Sequence, residues 1–275
     1  MIDSHHHLWK YNKAEYDWIP DDSPLAKDHL LEQLENETSS AEVSATVVVQ
    51  ARQTLTESKW LLNLAEHSNT IAGVIGWVPL MECNVSQTLS YLAACPKFKG
   101  VRHVLQNEPD AFFLSDDFHR GLALLPDLDL RYDLLVFQRQ LSVALKLVDR
   151  QANLGIIIDH LAKPEIHNGK INPAWKAGMT KLAKRDNILG VKISGLVNEV
   201  LDAEIDEPTL RAYFDETLEI FGSDRLMFGS DWPVCLLRID SYQKWADMVR
   251  GFVSRLSSDE SDAILNDNVV RIYGL

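Results

Sequence analysis

The chain reads as an α/β protein, a (β/α)8 TIM barrel in a single domain over residues 1–275, and three observations predict it. β-Branched runs short enough to be strands alternate with stretches of helical periodicity along the whole length, and eight such runs can be counted. No linker, low-complexity segment or internal repeat interrupts them. A chain of 275 residues suits a closed barrel, which needs about 250.

Composition narrows the partners. With 46% hydrophobic and 24% charged residues the chain can bury one large core. A net charge of -13, with a pI ≈ 5.1, repels phosphate at long range, so neither nucleic acid nor an anionic membrane is an expected partner. Cys83, Cys95 and Cys235 are few, odd in number and far apart, which predicts ordinary thiols in a cytoplasmic protein. No basic segment leads into an apolar run at the start, and no stretch reaches about 18 apolar residues, so neither secretion nor membrane spanning is expected. A homo-oligomer is compatible with this composition and is not specified by it.

The first strand is Ile2-Asp3-Ser4-His5-His6-His7, where alternation puts His5 and His7 on one face and His6 on the other. Flanked by Ile2 and by Leu8-Trp9, the histidines read as native sequence. Residues 10–24 form a long aromatic loop containing Trp18. Helical periodicity over 27–38 leads to strand 45–50, and helix 57–67 to strand 71–77. Helix 85–94 precedes strand 99–104, helix 116–124 precedes strand 132–136, and helix 139–151 precedes strand 155–160. Helix 174–184 then leads to strand 189–194, and helix 209–221 to strand 226–231; amphipathic stretches 242–256 and 259–273 close the chain.

A parallel barrel carries its chemistry at the C-terminal ends of its strands. Reading only those ends collects His5 and His7, Gln50 and Arg52, Trp77, Arg102 and His103, His160, Lys192 and Ser194, and Asp231. Each alone has a structural explanation: a strand-end histidine is more often a hydrogen-bonded support, and a Gly-Ser-Asp turn often caps a helix. Their joint placement on otherwise apolar strands points to one polar mouth, where imidazole serves as metal ligand or base and carboxylate as base.

Four segments carry a family resemblance. Ile2-Asp3-Ser4-His5-His6-His7, Asp159-His160-Leu161-Ala162-Lys163-Pro164, Val191-Lys192-Ile193-Ser194-Gly195-Leu196 and Phe228-Gly229-Ser230-Asp231-Trp232-Pro233 resemble the amidohydrolase superfamily, most closely its amidohydrolase-2 branch of sugar-lactone and related lactone hydrolases. The ending Asn268 to Leu275 is similar to the closing helix of that branch. The resemblance implies a hydrolase that opens a small lactone, most fittingly a sugar-acid (aldono) lactone, with Asp231 as general base and then acid and with His5, His7 and His160 beside it. It also implies a metal set of His5, His7, His160 and Asp231. The histidine that metal-binding members carry on strand five is missing from Tyr132 to Phe137, so the set is expected to hold at most one Zn2+ or other divalent ion, with a metal-free site the standing alternative. For substrate contact the expectation names Trp18, Arg52, Arg102, His103, Lys163, Lys192 and Trp232. Two other readings remain open: a metal-dependent non-oxidative decarboxylase of an aromatic or muconate-like acid, and a non-catalytic small-molecule-binding barrel.

Overall fold

The computed structural model describes residues 1–167, 169–202, 204 and 206–275. Eight parallel strands pair in sequence order: β1 (Ile2–His6), β2 (Ala45–Val49), β3 (Ile71–Gly76), β4 (Phe98–Val104), β5 (Arg131–Leu135), β6 (Ile156–Ile158), β7 (Ile188–Ile193) and β8 (Leu226–Phe228). The ends meet just beyond β8. The His7 amide donates to the Trp232 carbonyl at 2.7 Å and the Asp231 amide to the His5 carbonyl at 2.8 Å, so the seam that closes the barrel is made by the first and last strand-end residues.

Around the strands run α1 (Leu31–Ser40), α2 (Leu55–Glu66), α3 (Val85–Ala93), α4 (Asp110–Phe113), α5 (Asp116–Leu122), α6 (Leu141–Arg150), α7 (Pro173–Leu182), α8 (Glu207–Phe221) and α9 (Tyr242–Val253). Local chemistry starts several of them. The hydroxyls of Thr54 and Ser241 accept the third amide of α2 and α9, and Asn172 caps α7 with Pro173 as its first residue. The helix expected from residue 27 begins at Leu31, because His29 instead exchanges both backbone hydrogen bonds with Trp9 (2.9 Å each) and anchors the long loop after β1. The four-residue α4 was not anticipated, being too short to show a period.

Alternation along the strands sorts the interior. Val47, Val49, Ile75, Ile157 and Met227 point inward and pack on Val269, Ile272 and Tyr273 of the closing helix, Asn268–Tyr273. Arg131, at the start of β5, donates to the Ile272 carbonyl at 2.8 Å, so this helix closes the N-terminal end of the barrel. The neighbouring outward positions, among them Val48, Val74, Val101, Tyr132, Leu134, Ile158, Val191, Leu226 and Phe228, pack under the helices in the main core. Between that apolar floor and the mouth lies a layer of buried charge: Arg102, Asp133, Asp159 and Lys192. Among the described residues, no helix is long and apolar enough to cross a membrane.

Candidate active site

The mouth is built from chain segments just past the strands. His7 is one residue beyond β1, and its Nδ1 lies 2.8 Å from the Val49 carbonyl. A carbonyl only accepts, so Nδ1 carries the proton and Nε2 presents a bare lone pair. Nε2 faces His5 Nε2 at 3.3 Å and Asp231 Oδ1 at 3.3 Å. His5 stands beside it: Nδ1 lies 3.3 Å from Asp159 Oδ1, while Nε2 lies 3.3 Å from the Arg102 guanidinium and 3.8 Å from Asp231 Oδ1. Its Nδ1 also lies 3.3 Å from the Lys192 ammonium, so it faces both an acceptor and an obligate donor, and either ring nitrogen of His5 can carry the proton.

His160 and Asp231 arrive on unusual backbone. β6 ends at Ile158, and His160, Leu161, Ala162 and Lys163 all adopt positive φ (50, 53, 56 and 46). One left-handed turn of L-residues costs roughly 1–2 kcal/mol per residue, and strain of this kind collects at functional sites. It sends His160 and Lys163 to the same cavity. His160 Nδ1 is 2.8 Å from Ser194 Oγ, and its Nε2 is 3.8 Å from Asp231 Oδ1. Asp231 also has positive φ (56) and sits three residues past β8. Gly195 makes room for both: at φ 64, a Cβ there would lie 2.7 Å from His160 Nδ1 and 3.1 Å from Asp231 Oδ2.

Below these groups the charges are paired. Lys192, fully buried, bonds Asp133 and lies 3.1 Å from Asp159 and 3.3 Å from His5 Nδ1. Arg102 bonds Asp159 at 3.1 Å, and the Tyr273 hydroxyl donates to Asp133 at 2.7 Å. Two cations thus balance two carboxylates, which is the condition for burying them. Burial pushes Asp159 up, yet Lys192, His5 and Arg102 together hold it well below the usual carboxylate range. Burial likewise acts against the charged form of Asp231, but His160, His7 and His5 outweigh it, and the carboxyl is held below its ordinary range. Burial depresses His160 to about 4 and His5 well below its ordinary value. At neutral pH Asp231 is therefore an ionised carboxylate in surplus, flanked by the imidazoles of His5, His7 and His160.

His7 Nε2 and the Asp231 carboxylate, two acceptors 3.3 Å apart, need a cation or a shared proton between them. His5 Nε2, His7 Nε2 and Asp231 Oδ1 stand 3.3–3.8 Å apart, near the roughly 3.3 Å edge of a tetrahedral ion with bonds of about 2.0 Å. The donor set fits one divalent ion, with His160 on the fourth side. His5, Asp159 and His160 also lie close enough together to hold an ion, but Asp159 is already engaged by Lys192 and Arg102.

Over this floor opens a cavity of about 310 Å³, within the range of small-molecule sites. His7, Arg102, His160 and Asp231 form its base, Lys163, Gln106 and Asn107 its polar wall, and Val104, Leu135, Trp18, Ala51 and Val234 its apolar walls. Lys163 is 2.8 Å from Glu199, and Trp18, 47% exposed, stands edge-on to Trp9 with ring centroids 5.8 Å apart.

Four residues expected at the substrate lie elsewhere, which corrects that part of the sequence reading. Lys192 belongs to the buried charge layer. Trp232 is buried against His29, ring centroids 5.3 Å apart. Arg52 stacks over Tyr16 and bonds Glu15 at 2.7 Å, holding the long loop. His103, next to inward-facing Arg102, points outward into a separate apolar pocket with Trp77, Phe112 and Phe118. The residues missed are Gln106 and Asn107, on a loop without periodicity, and the inner carboxylates Asp133 and Asp159. A charge inside Tyr132-Asp133-Leu134-Leu135, or ending Ile156-Ile157-Ile158-Asp159, was the available signal for the last two.

The amidohydrolase family profile matches residues 2–275. The chain is 37% identical to an L-fucono-1,5-lactonase of Burkholderia multivorans over 100% of this chain and 96% of that one. It is 32% identical to an L-fucono-1,5-lactonase of Burkholderia ambifaria, over 99% and 94% of the two chains. A crystal structure of an amidohydrolase from Burkholderia multivorans with bound zinc superposes with a TM-score of 0.94 at 36% identity, covering 100% of this chain and 99% of that one.

Proposed function

The chain belongs to the amidohydrolase family, and from that premise we propose that it is a hydrolase opening the ester ring of a small sugar-acid (aldono) lactone. The observation that carries this reading is the surplus carboxylate of Asp231 at the base of a cavity of about 310 Å³, beside an inward-facing guanidinium. The lactonase relatives at 37% and 32% identity support the same substrate class.

Lactone hydrolysis needs a base for water, a positive group for the oxyanion and an acid for the departing alkoxide. Asp231 accepts a proton from water as its oxygen bonds the carbonyl carbon. The carbonyl electron pair moves to oxygen, where Arg102 meets the charge. As the intermediate collapses, the ring C–O bond breaks and Asp231 returns the proton to the leaving oxygen, giving the open hydroxy acid. His7 and His160 flank the Asp231 carboxylate at 3.3 and 3.8 Å. A divalent ion such as Zn2+, held by His5, His7 and Asp231 with His160 beside them, supplies Lewis acidity to water or carbonyl when bound. Lys163, Gln106, Asn107 and Trp18 are the contacts for substrate hydroxyls and ring.

Asp231→Asn keeps the shape and removes the charge. Turnover of a panel of five- and six-membered aldonolactones should fall at least about a hundredfold while thermal stability holds, the lower range for a positioned general base. A variant with near wild-type rates removes Asp231 from the reaction. A wild type inert to every lactone but releasing CO2 from an aromatic acid hands the function to a decarboxylase.

A further inference from the structure

The loop that follows β4 carries two primary amides into the cavity, and its own conformation is held from outside the cavity. The side chains of Gln106 and Asn107 line the cavity and make no hydrogen bond among the described residues, which leaves their donors and acceptors to a polyhydroxylated ligand. Their backbone, by contrast, is tied on several sides. The Val104 amide donates to Gln53 Oε1 at 2.8 Å. Arg139 donates to the Gln106 carbonyl at 3.1 Å, and Gln140 to the carbonyls of Leu105 and Glu108 at 2.8 and 3.2 Å. The remaining tie is Glu108 Oε1, 3.0 Å from His103 Nε2.

That tie has a fixed polarity. An indole N–H only donates, and Trp77 Nε1 lies 3.3 Å from His103 Nδ1, so Nδ1 is the acceptor and the proton of neutral His103 resides on Nε2, aimed at Glu108. The imidazole plane is held as well, stacked on Phe112 with ring centroids 4.7 Å apart and edge-on to Phe118 at 5.7 Å. His103 thus spans from the rigid end of β4 to the loop it anchors, and it does so on the outer side of the barrel, away from the reacting groups.

We propose that His103 and Glu108 are positioning residues of the hydrolase, with the Trp77–His103–Glu108 relay fixing the Gln106–Asn107 segment so that both amides meet the substrate hydroxyls without ordering the loop on binding. This rests on the lactone-hydrolase reading above and adds to it the segment that sets substrate affinity. A loop fixed beforehand spares the ordering cost that each immobilised side chain otherwise adds to binding. Its loss therefore acts on binding more than on the bond-breaking step, which lies at Asp231.

The test uses the full-length enzyme and an aldonolactone that the wild type hydrolyses. Glu108→Ala should raise KM about tenfold with kcat within about twofold and the melting temperature unchanged. Glu108→Gln keeps an oxygen to accept from His103 and should restore the wild-type KM. In a Gln106→Ala/Asn107→Ala background, removing Glu108 should add nothing further, since the relay acts through those amides. The inference is overturned by an unchanged KM in Glu108→Ala, by failure of Glu108→Gln to rescue, or by an additive effect in the amide-deleted background. A wild type inert to every lactone instead overturns the hydrolase reading, and the inference with it.

Discussion

Replacing Lys192 by Met tests whether the buried charge layer is a structural unit. The two side chains are similar in length, so packing is largely kept while the ammonium is lost from between Asp133, Asp159 and His5. Arg102 remains to pair Asp159 at 3.1 Å, but among the described residues Asp133 keeps the Tyr273 hydroxyl alone as its hydrogen-bond partner. Removing one partner of a buried pair costs about 3–5 kcal/mol. The protein limits that loss by protonating Asp133, and the pH dependence follows. Burial already pushes Asp133 from its ordinary 3.8 up to about 6, against the pull of Lys192. Without the lysine the folded-state pKa rises further. A carboxyl raised in the folded state is most favourable below its unfolded pKa and loses stability as pH climbs towards the folded one. At pH 6 the wild-type group is half ionised and its slope dies away by about pH 7, whereas the variant keeps losing about 1.4 kcal/mol per pH unit. The deficit of Lys192→Met should therefore widen by up to roughly 2 kcal/mol between pH 6 and pH 8. Urea unfolding of wild type and variant at pH 6, 7 and 8 measures it. A deficit below about 1 kcal/mol at pH 7, or one that stays level across the range, would refute the reasoning.

Gly195→Ala should place a methyl group 2.7 Å from His160 Nδ1 at a φ of 64, push the imidazole off Ser194, and lower kcat/KM at least about tenfold with a loss of roughly 1–2 kcal/mol in stability. Wild-type kinetics in that variant would mean that the His160 geometry is irrelevant to turnover. Glu57 accepts the Ala51 and Arg52 amides at 3.0 and 2.7 Å, and burial pushes it from 4.5 up to about 7. Its ionisation weakens the fold as pH rises from 4.5 to 7. Glu57→Gln retains an acceptor without a charge, so its stability relative to wild type should improve over that interval by up to about 3 kcal/mol; a difference independent of pH would exclude the effect.

Much of this protein was written locally. Strand and helix periods run along the chain in short windows, and eight alternations over 275 residues leave closure into a barrel as the economical solution, so the fold was legible. So was the meeting of His5, His7, His160 and Asp231, because parallel strands in a barrel deliver their C-terminal ends to one mouth. The left-handed turn at His160 was not legible, since four consecutive non-glycine residues with positive φ run against local preference and need the surrounding packing to hold them.

What only the tertiary structure decided is which charged strand residue faces which neighbour. Arg102 and His103 are adjacent and both polar, yet strand alternation turns one into the barrel and the other out against Phe112. Lys192 reads as a substrate contact from its own surroundings, because the carboxylate that explains it, Asp133, lies 59 residues away on β5. Gln106 and Asn107 drew no attention because a loop has no period to break. Composition and period depend on neighbours in sequence, whereas the meaning of a buried charge depends on its partner in space, and only closure of the barrel brings that partner within hydrogen-bonding distance.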